Sequence, residues 1–280
     1  MKNKLWLIFS FAPIFALMAL AYAVPLISNL GQSLQNRQGE WVGLDNYITV
    51  YTSYYFIDSL LYTLKIALIS TALAMIIAVL VALALRQTFV GKKLVVFMFQ
   101  FNLTIPRMAA AMVVTMLLSQ TGFISQIAYS LGFIERATEF LWLVYDSQGV
   151  GVIIAFTWKF FPYIGMSALS ILQGASLEYE NQAATLGVGK FRRFFHVTLP
   201  LVIPAVSIAS IIVFASAFGD YELPMILGNS SNHVLSVFTY LKYCDSTMSD
   251  PPQAYVLMIT MSIILTAVIL VYRKLTMVRS

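Results

Sequence analysis

Hydrophobic positions gather into six long runs: Leu5–Ile27, Ser59–Leu85, Leu94–Leu118, Gly151–Leu172, Leu199–Phe218 and Ala254–Tyr272. Each approaches or exceeds the ~20 apolar residues that a helix needs to cross a bilayer. Lipid leaves only helices or closed barrels as spanning structures. Barrel strands alternate polar and apolar residues, and Ala72-Leu73-Ala74-Met75-Ile76-Ile77-Ala78-Val79-Leu80 does not alternate. The pattern therefore predicts an all-α integral membrane protein with six transmembrane helices. The polar stretches 28–58, 119–150 and 219–253 lie between the runs. Within the second, Ile124, Ile127, Ala128 and Leu131 recur at helical spacing and predict a short helix at the membrane surface.

The first run admits two readings. Lys2 and Lys4 precede it and Ala21-Tyr22-Ala23 resembles a signal-peptidase site. Leu5–Leu20 is already long for the apolar core of a signal peptide, which favours a retained helix. Both readings bring the chain out on the same side.

Composition sharpens the class. Of the 280 residues, 60% are hydrophobic and 10% charged, against about 25% charged in a soluble domain. A soluble globular protein, a disordered chain and a nucleic-acid-binding domain are excluded. The single cysteine, Cys244, excludes an internal disulfide framework, and His196 and His233 lie too far apart for metal-ligand spacing. No polar stretch is long enough to fold as a second domain, so residues 1–280 read as one transmembrane unit.

Charge placement sets the expected orientation. Lys2, Lys4, Arg86, Lys92, Lys93, Lys190, Arg192, Arg193, Arg273, Lys274 and Arg279 fall on one face of a six-span chain. Arg37, Arg136 and Lys242 fall on the other. The positive-inside rule then places both termini in the cytoplasm. The longer loops, which hold every acid except Glu178 and Glu180, lie outside. They read as plain connections or as docking segments for an extracytoplasmic partner.

The cytoplasmic loop at about 176–198 is the most informative segment. Ser176 is placed to cap a helix whose first turn holds Glu178 and Glu180 at the positive dipole end. Ala183 and Ala184 form helix with little bulk, so another protein can approach closely. Gly187 suits a left-handed C-terminal position. A second amphipathic helix is expected, with Phe191, Phe194 and Phe195 opposite Lys190, Arg192 and Arg193. Leu199-Pro200 then opens the fifth span, with proline tolerated in the first turn. Helix, glycine and helix with small residues outward form a docking knob.

The spacing Ala183-x₃-Gly187-x₉-Val197-x-Leu199-Pro200 resembles the "EAA" loop of permease subunits in binding-protein-dependent ABC importers. Asn181 and Gln182 stand where that family usually has Glu and Ala. Further likenesses are Trp41-Val42-Gly43-Leu44-Asp45-Asn46-Tyr47 followed by Ser59-Leu60-Leu61-Tyr62-Thr63-Leu64, then Gly122-Phe123-Ile124 with Leu131-Gly132-Phe133-Ile134, and Phe218-Gly219-Asp220-Tyr221-Glu222-Leu223-Pro224 with Leu227-Gly228. They occur in the family's order over residues 5 to 272, and the nearest subgroup resembles polyamine, iron(III) and aminophosphonate permeases. The resemblance implies a type I importer transmembrane domain in a bacterial inner membrane. It implies pairing with a second permease, as a homodimer or with a sister chain. It also implies two cytoplasmic ATP-binding subunits docked through Glu178, Glu180, Ala183, Ala184, Gly187, Leu199 and Pro200, and an extracytoplasmic binding protein. The chain has no Gly-x₄-Gly-Lys-Ser/Thr loop, so ATP and Mg belong to the partner ATPase. Neither a catalytic residue, nor a cofactor, nor a metal is expected on this chain.

Charges within the runs bear on the solute. Lys65, Arg107 and Lys159 are cations inside predicted spans, which hold no acid. At about 1.5 Å per residue, Arg107 lies about 16 Å and Lys159 about 12 Å from the outer ends of their spans. That is near the middle of a ~30 Å core. Intramembrane charges cost ~2.5–3.5 kcal/mol on insertion scales and tend to face a watery cavity or a partner. The competing account is snorkelling from a shifted span boundary. Pro106 and Pro162 each free a carbonyl nearby, which fits a cavity wall. Arg107 and Lys159 favour an anionic or zwitterionic solute such as a phosphonate, phosphate ester or carboxylate. Asp220 and Glu222, at the outer end of the fifth span, favour a cation such as a polyamine. A secondary transporter is a remoter alternative, because intramembrane acids for coupling ions are lacking.

Overall fold

The structure, a computed structural model, describes residues 2–86 and 89–277. Arg279 lies outside the described residues, as do the side chains of Lys2, Lys4, Arg273 and Ser176. The described chain is almost entirely helical: α1 Lys2–Ser33, α2 Asp45–Thr52, α3 Tyr54–Leu85, α4 Lys92–Thr104, α5 Arg107–Leu118, α6 Phe123–Ser130 and α7 Val150–Gln173 come first. They are followed by α8 Ala175–Thr185, α9 Lys190–Arg193, α10 Leu199–Gly219, α11 Glu222–Leu227, α12 Leu235–Cys244 and α13 Pro251–Met277. Six helical stretches among the described residues are long and apolar enough to cross a membrane: Phe11–Ser33, Tyr54–Leu85, Arg107–Ser130, Val150–Gln173, Lys190–Gly219 and Pro251–Tyr272.

The third differs from the expected continuous span Leu94–Leu118. The helix breaks between α4 and α5, where Ile105 is extended (φ −66°, ψ 125°) and Pro106 follows at φ −57°, ψ 146°. Proline has no amide to continue the ladder and pushes its predecessor out of the helical region. The short helix expected around Phe123–Phe133 is α6, ending at Ser130, and it falls within the third candidate span.

The chain divides into two compact units. One comprises residues 1–57 and 238–268. In it the Trp41–Tyr47 segment closes the end of α1. Asn46 Nδ2 donates to the carbonyls of Ser33 (2.8 Å) and Gln35 (2.9 Å), and Tyr47 Oη pairs with Ser33 Oγ at 2.8 Å. The turn needs Gly43, at φ 63°.

The other unit comprises residues 58–237 and 269–280. Its core joins α3, α7 and α10 through Ala74, Ala78 and Ala82, Ile164 and Ala168, and Val202, Val206 and Ala209, all buried. Alanines spaced by four make one thin face of α3, which lets neighbouring backbones approach. In lipid, close packing of this kind drives helix association more than apolar burial does. Gly165 belongs to the same logic, because a Cβ there would lie 2.5 Å from Phe99 Cζ.

Candidate functional site

The break at Ile105–Pro106 gathers three of the four residues read as pathway groups. Pro106 and the extended Ile105 expose two carbonyls. Lys159, on α7, is only 6% exposed, and its Nζ donates to Asn102 O and Ile105 O, each at 2.6 Å. The Ile105 amide reaches Asn102 O only at 3.3 Å. The reverse donation also exists. Pro162 leaves Trp158 O without its helical partner, and Asn102 Nδ2 donates to it at 2.7 Å. Two proline interruptions on neighbouring helices thus satisfy each other's orphaned carbonyls.

Arg107 is the first residue of α5, and its Nη1 stands 3.3 Å from Asp220 Oδ2. Asp220 is fully buried at the side chain, whereas Arg107 is 42% exposed. The contact is an ion pair without hydrogen-bonding geometry, since Oδ2 has no hydrogen-bond partner. Oδ1 accepts from the Glu222 amide at 2.8 Å and the Leu223 amide at 3.3 Å, closing the turn that starts α11. Ser236 Oγ donates to Asp220 O at 2.6 Å. The carboxylate of Asp220 is therefore committed to Arg107 and to the backbone, while Glu222 is half-buried on the same turn. Lys65, also on a span, pairs with Gln148 Oε1 at 2.5 Å.

The far end of α11 is held from another loop. The Tyr145 amide donates to Leu227 O at 3.0 Å, and Asn229 Nδ2 donates to Tyr145 O at 2.7 Å. Tyr145 adopts φ 62°, an unusual conformation for a tyrosine. Gly228 is required because a Cβ would collide with Pro224 O, and Gly122 because a Cβ would meet Met116 O and Leu117 O at 2.8 Å.

The second cluster is the loop before α10. Gly174 caps α8, so Ser176 lies inside the helix rather than before it. Gly187 takes φ 77°, and its amide donates to Ala184 O (3.0 Å) while the Val188 amide donates to Ala183 O (3.1 Å). This is a Schellman C-cap, the left-handed ending expected of this glycine. After it, the expected amphipathic helix is one turn only, α9, which runs into a π-helical stretch at Phe194–Thr198. The phenylalanines are not all on one protected side: Phe191 is 79% exposed and Phe195 is exposed, while Phe194 is half-buried. Leu186, at 83% exposure, lines a surface hollow with Ala183, Pro200 and exposed Tyr179. Ala184 is exposed and Ala183 half-buried, and α10 begins at Leu199-Pro200.

The two glutamates of α8 divide. Glu178 is exposed. Glu180 is buried, receives Arg86 Nη1 at 2.7 Å, and accepts the hydroxyl of Thr198 at Oε1. Arg193 Nη1 reaches Glu180 O at 3.3 Å. Glu180 thus ties α8 to the end of α3 and to the start of α10. In the sequence Arg86 reads only as a positive charge of one face, and Thr198, Asn102 and Tyr145 are given no part in the site. For Asn102 a signal existed, since it lies four residues before Pro106.

The family model described as "Binding-protein-dependent transport system inner membrane component" matches residues 74–276. The molybdenum transport system permease protein ModB of Escherichia coli (strain K12) is 25% identical over 165 residues, covering 59% of this chain and 68% of its own length. The sn-glycerol-3-phosphate transport system permease protein UgpA of Shigella dysenteriae serotype 1 (strain Sd197) is 25% identical over 230 residues, covering 80% and 73%. A probable sulfate transport system permease protein, cysT of Nephroselmis olivacea, is 26% identical over 231 residues, covering 82% and 75%. Among solved structures, a bacterial ABC transporter involved in the import of the acidic polysaccharide alginate superposes with a TM-score of 0.78 at 16% identity, covering 98% of this chain and 96% of that one. A second alginate transporter structure, in complex with an alginate pentasaccharide-bound periplasmic protein, gives 0.78 at 17% identity, covering 96% and 93%. None of these names is that of a polyamine, iron(III) or aminophosphonate permease.

Proposed function

The chain belongs to the family of binding-protein-dependent transport system inner membrane components, and from that premise we propose the specific machine in which it works. It is an ABC importer permease subunit, a transport component whose ATP hydrolysis resides on partner subunits. In this reading two cytoplasmic ATP-binding subunits dock on the α8–α9 loops of a permease pair, made of two copies or of this chain and a sister. An extracytoplasmic binding protein delivers the solute, and both termini lie in the cytoplasm of a bacterial cell. The supporting observation for docking is the loop itself, with its Schellman-capped α8, exposed Leu186 and Phe191, and Glu180 anchorage to two spans. A knob that is apolar outside and tied inside is suited to passing a partner's movement into the spans.

The solute is small and anionic or zwitterionic: a phosphate ester, phosphonate, carboxylate or related oxyanion. Sulfate and sn-glycerol-3-phosphate, the solutes named for two relatives, are anions, and alginate is acidic. Arg107 also presents a partly exposed guanidinium at the helix break. The polyamine alternative draws on Asp220 and Glu222. It is weakened because Asp220 is already paired with Arg107. Reconstitution with purified ATPase and binding protein tests the machine. Uptake should require ATP and liganded binding protein, and the ATPase should co-purify with the permease. Uptake driven by an ion gradient without ATP would overturn the reading.

A further inference from the structure

Lys159 sits where a solute-binding cation was expected, yet its ammonium is turned into the protein. It is almost wholly buried and takes the carbonyls of Asn102 and Ile105, both exposed by the interruption between α4 and α5. A lysine ammonium has three N–H donors and no acceptor, so it suits a site made of carbonyl oxygens alone. The same cluster holds Asn102, buried, with its amide nitrogen on the carbonyl that Pro162 frees. An unsatisfied carbonyl in the membrane interior is strongly destabilising. Broken helices are tolerated where such groups find other partners. Here the partner is covalently attached.

We propose that Lys159 is a tethered resident cation that fills a carbonyl site at the Ile105–Pro106 break and acts as a positioning residue for α5. It fixes the point at which α5 begins, and so the place of Arg107, its first residue and the partner of Asp220. Lys159 then acts on the pathway through Arg107, and the solute meets the guanidinium instead of the ammonium. The inference goes beyond the transport reading and does not depend on which solute is carried.

The ammonium leaves a chemical signature that packing alone would not. Lys159→Ala deletes a side-chain portion of the size and charge of n-propylammonium. The test is the thermal unfolding of purified, detergent-solubilised full-length protein with added n-propylammonium chloride or tetramethylammonium chloride. The Lys159→Ala protein should melt below wild type. Millimolar n-propylammonium should raise its Tm, and tetramethylammonium, which has no N–H, should not. Wild type should respond to neither. A response to both salts alike, or an equal response in wild type, overturns the proposal. A second measurement covers failure of Lys159→Ala to fold. Pro106→Ala restores an amide for Asn102 O, so the yield of folded Pro106→Ala/Lys159→Met should exceed that of Lys159→Met. Equal or lower yield from the double variant overturns the proposal.

Discussion

Arg107 Nη1 lies 3.3 Å from Asp220 Oδ2. The cation that argues for an anionic solute and the acid that argues for a polyamine therefore share one ion pair, between the start of α5 and the turn into α11. Asp220 is buried and Arg107 is its counter-charge, so removing Arg107 strands a carboxylate in a low-dielectric site. Losing one partner of a fully buried pair costs ~3–5 kcal/mol. With Arg107 42% exposed, the cost of Arg107→Gln should fall to about 2 kcal/mol, since the guanidinium is less desolvated. The double variant Arg107→Gln/Asp220→Asn should recover at least ~1 kcal/mol of that loss as coupling. Thermal unfolding of the purified single and double variants measures it, and strict additivity would mean that the pair is incidental.

Glu180 predicts a different phenotype from its neighbour Glu178. Glu180 joins Arg86 and Thr198 across three elements, whereas Glu178 is exposed. Hydrogen bonds to a charged group contribute ~1.5–3 kcal/mol each. Glu180→Ala should therefore loosen α8 from the spans, lowering both ATPase co-purification and uptake. Glu178→Ala should leave the fold of the loop intact. Equal behaviour of the two variants in a pull-down with the ATPase would contradict the tether.

Gly187 is open to space, with no atom within 4 Å of an added Cβ, but sits at φ 77°. The penalty for a side chain is therefore one of backbone conformation, roughly 1–2 kcal/mol for a residue without a local hydrogen bond to offset it. Asparagine tolerates this conformation best. Gly187→Asn should retain most transport, while Gly187→Arg should insert into the membrane yet lose coupling to the ATPase. Normal ATPase binding and uptake in Gly187→Arg would refute this.

Orientation is testable by labelling. Ser130, closing α6, and Lys190, opening α9, are both exposed. In a Cys244→Ser background, a cysteine at Ser130 should react from outside intact cells, and one at Lys190 only after permeabilisation. Reversed access at either position would reverse the charge argument.

The six spans were legible because a run of apolar residues is a direct requirement of lipid. Gly187 and Leu199-Pro200 were legible for a similar reason, since a left-handed ending and a first-turn proline are local backbone matters. The break in the third span was only half visible. Pro106 announced freed carbonyls, but their recipient, Lys159, lies on another helix. The pairing of Arg107 with Asp220 joins residues far apart in the chain, so no local pattern encodes it. The inward side of Glu180 was not legible for the same reason: Arg86 and Thr198, which hold it, lie on other parts of the chain. The longer α1, continuous to Ser33, was hidden because its last turns are polar.

The central claim is ATP-driven uptake of an anion through this permease. Its most direct test is radiolabelled uptake into proteoliposomes carrying the permease pair, the ATPase and the cognate binding protein, with sulfate, phosphate esters, phosphonates, carboxylates and spermidine offered in turn. The account predicts that one of the anions accumulates only when ATP is inside and binding protein outside, and that spermidine neither enters nor competes. ATP-dependent spermidine accumulation, with no anion taken up, would contradict it.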